Sequence, residues 1–320
     1  MQRNLRSNLE ESLEAVVPGA VLRGTLTLPS GSGRVPAMVV AHGASFGLRR
    51  APIYDELVDI LLGVGIAVLR YDRRGEGEST GSAESVTLEE LADDLVACVR
   101  LLHEHPRVHA DRVGVWGFSQ GGWVVALAAA AEPSIAGLVA VSASGTGPAE
   151  QMEYAVETTM RASGYGDHDV EAALSARRMV CTWEDGLCET PKVQALFDSI
   201  KHEPWFPMAY LGDLSEELRT VDRHWSHFDV RPALERIRVP VLLFFGDRDR
   251  WVDPVRSPEI WKATLTHAEV AAVPLSGAGH MPTLALDPDS LDAEESGPTH
   301  PEYIAQLRNW SISVLRPESH

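Results

Sequence analysis

A serine between two glycines has the clearest chemical meaning in this chain. The segment Gly117-Phe118-Ser119-Gln120-Gly121 has the form G-x-S-x-G and separates an apolar run, 112–116, from an alanine-rich run, 122–131. The first run is typical of a buried strand and the second of a helix, so Ser119 is predicted to lie on the turn between them. A sharp turn there exposes the Oγ atom, while the glycines let the strand and the helix approach closely. The pattern therefore predicts a serine nucleophile.

A serine nucleophile needs a base, and the base needs an acid that orients it. The apolar run 240–245 is a predicted strand, and it ends in Gly246-Asp247-Arg248-Asp249-Arg250-Trp251-Val252-Asp253. Asp249 is the predicted acid, because it stands far enough beyond the glycine to reach an imidazole. Asp247 and Asp253 are the alternatives, although a turn role for Asp247 and a helix-start role for Asp253 compete with catalysis.

The predicted base is a histidine that follows the next strand. The run 270–275 has strand character, and the loop Ser276-Gly277-Ala278-Gly279-His280 comes after it. Of the twelve histidines, this one falls in a tight turn after the last predicted strand. His280 is then expected to take the proton of Ser119, while Asp249 fixes the imidazole tautomer and stabilises the imidazolium. The serine attacks an acyl carbonyl in this scheme.

The oxyanion formed by that attack requires N–H donors. The run 35–41 is a predicted strand that ends in a loop of small residues, His42-Gly43-Ala44-Ser45-Phe46-Gly47. The backbone N–H groups of Ala44 and Gln120 are predicted to form the oxyanion hole. His42 is expected to brace the loop through a hydrogen bond rather than to act as a second base.

From His42 to the last helix, the chain resembles the serine hydrolases of the α/β-hydrolase superfamily. The stretch from Asp72 to Ser79 has the D-x-R-G-x-G-x-S form found there. It also resembles a bacterial carboxylesterase group related to dipeptidyl-peptidase-like and serine aminopeptidase-like hydrolases. The resemblance implies that Asp72, Arg73 and Arg74 are structural. The loop that begins at His42 departs from the Gly-Ser-Gly-Pro type of that group, which leaves the substrate open.

The elements that position these residues alternate along the chain. Alternating strand and helix patterns from about residue 15 to residue 145 predict a mostly parallel sheet with helices on both faces, and the resemblance implies the α/β-hydrolase fold. The first strand region, 19–29, is expected to be exposed. The other predicted elements are strands at 35–41, 67–71 and 135–141 and helices at 54–62, 88–102 and 301–315.

A long stretch without strands divides the chain. Residues 146–234 are far longer than an ordinary connection and predict a helical lid, inserted between the core segments 1–145 and 235–320. Helices are expected at 149–162, 169–180 and 193–200. Four aromatic residues of this stretch are predicted to bind the substrate above the serine: Trp183, Trp205, Phe206 and Trp225.

The composition limits the partners. A chain of 320 residues with 44% hydrophobic content can bury one large core and an inserted subdomain. The formal net charge of −18 argues against nucleic acid and anionic membrane surfaces as partners. The three cysteines fit neither a disulfide framework nor a zinc site, and the amino end lacks a signal-peptide core, which predicts a cytoplasmic protein. The acidic, turn-rich stretch 287–298 is predicted to be a mobile loop.

These features together predict an enzyme that cleaves carboxylic esters, or related thioester or lactone bonds, through an acyl-enzyme on Ser119. A small-molecule acyl substrate is the expected partner, no cofactor is expected, and a homodimer is left open. The alternatives within the fold are a biosynthetic tailoring hydrolase or acyltransferase and a peptidase. Outside the enzymes, the alternative is a non-catalytic protein that binds a small molecule.

Overall fold

The structure is a computed structural model. It describes residues 9–45, 47–84, 86–212, 214, 219–284 and 297–316, and for residues 220–222 it describes the backbone alone. Almost all of the predicted loop at 287–298 therefore lies outside the described residues.

The described residues form one sheet of eight strands. In space the strands follow the order β1-β2-β4-β3-β5-β6-β7-β8. Along the chain they are β1 (Leu9–Val17), β2 (Ala20–Leu28), β3 (Val35–Ala41), β4 (Ala67–Tyr71), β5 (Val108–Phe118), β6 (Leu138–Val141), β7 (Val241–Gly246) and β8 (Val270–Leu275).

The sheet is antiparallel at one edge and parallel elsewhere. Strand β2 pairs antiparallel with β1 and β4, and all the other pairs are parallel. The last residue of β3, Ala41, pairs with Gly117 near the end of β5, and β7 and β8 end side by side at Gly246 and Leu275. Because parallel strands end at the same edge, the loops after β3, β5, β7 and β8 come together there.

Helices cover both faces of the sheet. They are α1 (Pro52–Leu62), α2 (Leu88–His103), α3 (Gln120–Ala131), α4 (Pro148–Ala162), α5 (Asp167–Glu184), α6 (Thr190–Ile200), a short 3₁₀ helix (Phe206–Ala209), α7 (Arg219–Ser226), α8 (Arg231–Leu234), α9 (Arg256–Thr264) and α10 (Pro301–Leu315). Helix α2 begins with a capping box, in which Thr87 and Glu90 satisfy each other's backbone N–H groups.

The alternation of side chains along the strands builds two large cores. Met38 and Val39 are neighbours in β3, yet Met38 packs with α1 and α10 while Val39 packs with α2 and α3. Trp116 and Val115 divide in the same way in β5. This period of two is what a sheet buried on both faces requires.

Most predicted elements are confirmed, and three strands and the last helix have the predicted bounds: 35–41, 67–71, 270–275 and 301–315. The expectation that 19–29 is exposed is wrong, because β2 lies between two other strands and is mostly buried. The edge strand on this side of the sheet is β1, which the prediction missed. Its polar residues, rich in glutamate, suit an edge strand that faces water.

The stretch from residue 146 to residue 234, named the helical insert below, contains α4 to α8 and the 3₁₀ helix. It has two small cores of its own, one around Met160, Leu174 and Trp205 and another around Trp183 and Phe197. Helices α7 and α8 were not predicted. Within the part of the chain that the structure describes, none of the helices combines the length and the apolar character needed to cross a membrane.

Candidate active site

The predicted nucleophile lies on a strained turn between β5 and α3. Ser119 has φ +53° and ψ −117°, a backbone conformation that residues other than glycine rarely adopt. Its backbone N–H donates to the carbonyl oxygen of Val141 at 2.8 Å, which holds the turn against β6. A Cβ atom on Gly117 would lie 2.2 Å from the Gly121 carbonyl oxygen, and one on Gly121 would lie 2.5 Å from that of Ala41. The two glycines are therefore needed for the close approach.

The predicted base and acid are hydrogen-bonded to each other. His280 Nδ1 lies 2.9 Å from Asp249 Oδ2 and 3.1 Å from Oδ1. Because a carboxylate accepts hydrogen bonds, Nδ1 carries the proton of the neutral imidazole and Nε2 is left as an acceptor. Asp249 Oδ1 also accepts from the backbone N–H groups of Trp251 at 2.7 Å and Val252 at 2.9 Å. The carboxylate is buried and fixed from several sides.

The two alternative acids make local hydrogen bonds instead. Asp247 accepts from Gly277 N–H at 2.7 Å and from the Ser276 hydroxyl at 3.1 Å, so it joins two loops. Asp253 accepts from the N–H groups of Val255 and Arg256, both at 2.9 Å, at the start of α9. Both acids thus have the turn and helix-start roles that compete with catalysis.

Ser119 and His280 line one cavity of about 470 Å³ at the carboxyl edge of the sheet. Three further predicted site residues lie in its wall: Ala44, Gln120 and Trp225. A wider groove of about 600 Å³, near His224 and Arg236, contains none of the predicted site residues. The smaller cavity is therefore the candidate active site, and we name it the active-site cavity.

The two residues predicted to supply oxyanion donors, Ala44 and Gln120, line the active-site cavity together with Ser119. Among the described residues, neither the backbone N–H of Ala44 nor that of Gln120 has an acceptor. Arg73 connects the two residues, because its guanidinium donates to the Ala44 carbonyl oxygen at 3.0 Å and to Gln120 Oε1 at 3.1 Å. An ion pair with Glu76 holds the guanidinium from its other side. Arg73 therefore ties the loop after β3 to the start of α3.

His42 is buried and uncharged at neutral pH. Burial lowers its pKa to about 4, and the backbone hydrogen bond to Tyr71 opposes this shift. Its Nε2 lies 2.6 Å from the Tyr71 carbonyl oxygen, so Nε2 is the protonated nitrogen and donates. The imidazole thus joins the end of β3 to the end of β4, and the bracing role expected for His42 is what its contacts support.

The structure corrects three of the predicted substrate contacts. Trp183, Trp205 and Phe206 are not among the residues that line the active-site cavity. Trp205 is buried in one core of the helical insert and Trp183 in the other, where Phe206 also packs. These side chains stabilise the insert, because helices of this length need a shared apolar core to be stable. Trp225 is the predicted aromatic residue that lines the cavity.

Other lining residues were missed by the prediction. Trp123, Trp251 and Met281 line the cavity, and they stand within four residues of Ser119, Asp249 and His280. Their closeness in sequence to the predicted catalytic residues could have identified them. Gln151 and Met152 come from α4 and carry no such signal.

The cysteines take no part in this site. Cys98, Cys181 and Cys188 are free thiols. In the ranges that the structure describes, no group of three or more histidine, cysteine, aspartate or glutamate side chains is arranged to hold a metal ion.

A mostly parallel sheet with a strained serine turn at its carboxyl edge is typical of α/β hydrolases. The chain belongs to the alpha/beta hydrolase family, whose model matches residues 38–293.

Three relatives show how the chain compares with known proteins. It is 34% identical over 107 residues to the thiohydrolase aneE of Aspergillus aculeatus, covering 33% of this chain and 32% of that protein. It is 27% identical over 255 residues to the esterase EstD of Thermotoga maritima, covering 78% of this chain and 54% of that protein. It is 31% identical over 145 residues to the polyketide transferase grgF of a Penicillium species, covering 44% of this chain and 48% of that protein.

The chain thus spans between about a third and about half of the length of these curated relatives. The solved structure of GrgF from Penicillium sp. sh18 has a TM-score of 0.57 at 20% identity, covering 96% of this chain and 99% of that chain. This likeness shows the α/β-hydrolase fold.

Proposed function

We propose that the protein is a serine hydrolase that cleaves carboxylic esters or thioesters of small molecules through an acyl-enzyme on Ser119. The observation that carries this proposal is the hydrogen-bonded pair of His280 and Asp249, whose imidazole lines the same cavity as the strained Ser119. A serine, a base and an orienting acid at one cavity form the combination that nucleophilic acyl transfer needs.

The proposed reaction begins when Ser119 Oγ attacks the acyl carbonyl carbon and gives its proton to His280 Nε2. The carbonyl oxygen becomes an oxyanion, which the N–H groups of Ala44 and Gln120 stabilise. Asp249 holds Nδ1–H and stabilises the imidazolium. The C–O or C–S bond then breaks, and the leaving group takes the proton from His280. Water repeats the sequence and releases the carboxylic acid.

The lining of the cavity supports an acyl substrate with an apolar part. Phe118, Trp123, Trp251 and Met281 give it apolar walls, and its polar lining residues include Ser119, Gln120 and His280. Two relatives support the bond type, because one is named an esterase and another a thiohydrolase.

We also propose that the helical insert acts as the lid of this site. Its residues Gln151, Met152 and Trp225 form part of the cavity wall. Gln151 Nε2 donates to the Trp251 carbonyl oxygen at 2.6 Å, and the Tyr154 hydroxyl donates to that of Asp249 at 3.0 Å. The lid is thereby hydrogen-bonded to the loop that carries the acid.

Acyl transfer to a nucleophile other than water is the second candidate. It is favoured by the likeness to grgF, which is named a polyketide transferase. The two reactions share the acyl-enzyme. They differ in whether water or another nucleophile attacks it. Addition of a small alcohol or thiol during turnover separates them, since a transferase yields the new ester or thioester in excess over the free acid.

The test is turnover of p-nitrophenyl esters, from acetate to laurate, and of matching thioesters by the wild type and by Ser119→Ala. We expect hydrolysis by the wild type and a loss of about four orders of magnitude or more in the variant. A fluorophosphonate probe should label the wild type and leave the variant unlabelled. A folded wild type that shows neither turnover nor labelling contradicts the proposal and favours a binding protein.

A further inference from the structure

A second cavity of about 370 Å³ lies next to the active-site cavity. Trp225 lines both cavities, so they adjoin at its ring. The cavities also meet at a second pair of rings. Tyr210 lines the second cavity and Trp251 the first, and the centroids of their rings lie 5.3 Å apart. The indole N–H of Trp225 donates to the Val86 carbonyl oxygen at 3.1 Å, which orients the shared ring.

The second cavity is lined by Arg177, whose guanidinium uses only part of its hydrogen-bonding capacity. Arg177 Nη1 donates to the carbonyl oxygens of Ala209 at 2.9 Å and Tyr210 at 2.7 Å. Its Nε is buried and has no hydrogen-bond partner, and Nη2 makes no hydrogen bond to any described residue. In Arg74 the same two nitrogens, Nε and Nη2, donate to the two carboxylate oxygens of Asp94. Arg177 therefore has an unpaired Nε and Nη2 edge whose geometry matches a carboxylate.

Among the described residues, the charge of Arg177 has no close ion pair, and the carboxylates of Glu153 and Glu184 act on it only at longer range. No carboxylate of the described residues lies within ion-pair distance of it, whereas the next residue, Arg178, pairs with Glu153 and Glu171 on the exposed side of α5. Burial lowers the pKa of the Arg177 guanidinium, while hydrogen bonding to Glu153 raises that of Arg178. Glu184 lines the same cavity, but its carboxylate accepts from the Ser226 hydroxyl.

The remaining walls are mixed in character. Val180, Leu211 and Trp183 supply apolar surface, and the indole N–H of Trp183 is already used by the Thr190 hydroxyl at 2.9 Å. A ligand that suits this cavity has an apolar body and one anionic end.

We infer that this second cavity is a subsite for a carboxylate, which the Nε and Nη2 groups of Arg177 bind in bidentate fashion. The carboxylate is the far end of the acyl part of the substrate, since the cavity adjoins the one that holds Ser119. This assignment rests on the proposed hydrolase function and narrows it to esters or thioesters whose acyl chain ends in a second carboxyl group.

The test compares two esters of equal chain length, p-nitrophenyl octanoate and the mono-p-nitrophenyl ester of octanedioic acid. The measured quantity is the ratio of kcat/KM for the carboxylate-ended ester to that for the neutral ester. We expect this ratio to fall about 10-fold to 100-fold in Arg177→Gln, because charge-assisted hydrogen bonds to the carboxylate are lost. Arg177→Lys keeps the charge but loses the planar pair of donors. Its ratio should therefore lie between that of the wild type and that of Arg177→Gln.

Arg178→Gln is the matched control, because it removes a neighbouring charge that faces solvent. Its ratio should stay at the wild-type value. A wild-type ratio equal to that of Arg177→Gln, with both esters still hydrolysed in a Ser119-dependent way, overturns the subsite and leaves the hydrolase proposal intact.

Binding of free octanedioate, measured by calorimetry, separates the remaining cases. If no ester is hydrolysed and no probe labels Ser119, the hydrolase proposal fails, and Arg177-dependent binding of the free diacid still supports the carboxylate site. If esters are hydrolysed without preference while the free diacid binds through Arg177, the site belongs to a free carboxylate, and its assignment to the substrate is overturned.

Discussion

The loops at the carboxyl edge of the sheet and the helical insert both contribute to the active-site cavity. They differ in whether a buried charged side chain finds all its hydrogen-bond partners within the protein. At the sheet edge, the carboxylate of Asp249 has donors from His280, Trp251 and Val252. In the helical insert, Arg177 has a buried Nε without a partner. The Asp249 carboxylate is thus held by donors within the protein, whereas the Arg177 Nε is a buried donor without a partner.

The contrast indicates a different task for each region. A hydrogen-bond network that is complete within the protein is fixed before a substrate arrives, which is what stabilisation of a transition state demands. A buried donor that lacks a partner is stabilised when a ligand supplies one. We therefore propose that the sheet edge performs the chemistry and that the insert selects the substrate, and four sets of variants test this division.

The largest effect is expected at the acid. Asp249→Asn leaves the fold intact but loses the carboxylate that fixes the tautomer of His280, so kcat should fall by about four orders of magnitude. Asp253→Asn is the control, because Asp253 accepts hydrogen bonds at the start of α9 and makes none to His280. Steady-state kinetics on one ester compares the two variants. If Asp253→Asn lost activity and Asp249→Asn did not, the assignment of the acid would be reversed.

The next effect concerns the stability of the sheet edge in acid. Since the pKa of His42 is about 4 in the folded chain against an ordinary 6.5, the folded state binds fewer protons between these values. Stability is therefore lost as the pH falls from about 6.5 to about 4, by about 3 kcal/mol from this residue. His42→Gln keeps a donor for Tyr71 without the titration. Urea unfolding near pH 7 and near pH 4 should show a smaller acid loss in the variant, and equal losses would contradict the burial of a neutral imidazole.

A smaller effect is expected at Arg73, which we regard as a positioning residue for the oxyanion hole. Arg73→Leu removes the link between Ala44 and Gln120, so kcat should fall about 10-fold to 100-fold while KM changes little. Arg49→Gln is the control, because Arg49 bonds Asp72 in the neighbouring loop and does not contact Ala44. A purely structural role for Arg73 predicts lower stability at unchanged kcat, which unfolding and kinetic measurements on the same samples distinguish.

The division between the two regions also explains what could be predicted from the sequence. Each candidate catalytic residue lies within five residues of the end of a strand, so an apolar run and a short motif locate it. Strands β3 and β4 have the predicted bounds for the same reason, because an apolar run buried on both faces ends sharply where the polar loop begins. Strand β8 also has the predicted bounds, although only Leu275 in it is buried. The hydrogen bond between His280 and Asp249 follows from the parallel pairing of β7 and β8.

The insert resists such reasoning because its contacts depend on how short helices pack. Trp205 and Trp225 look alike in sequence, yet the first is buried in an insert core and the second lines the cavity. No local pattern distinguishes them, since the direction of each side chain follows from the packing of several helices at once. Helix α7, which carries Trp225, is strongly polar and gave no apolar stripe to predict it.

That pair of tryptophans gives the mildest test of the comparison. Trp225→Phe shortens the ring that lines both cavities and removes its hydrogen bond to Val86, so the preference for long over short acyl esters should rise by less than about tenfold. Trp205→Phe should leave the chain-length profile unchanged and lower the free energy of unfolding by about 1 to 3 kcal/mol, because it opens space in an insert core. The profile is measured with the p-nitrophenyl esters from acetate to laurate. A shift caused by Trp205→Phe would show that the insert cores, and not the cavity wall alone, set the length of the acyl chain.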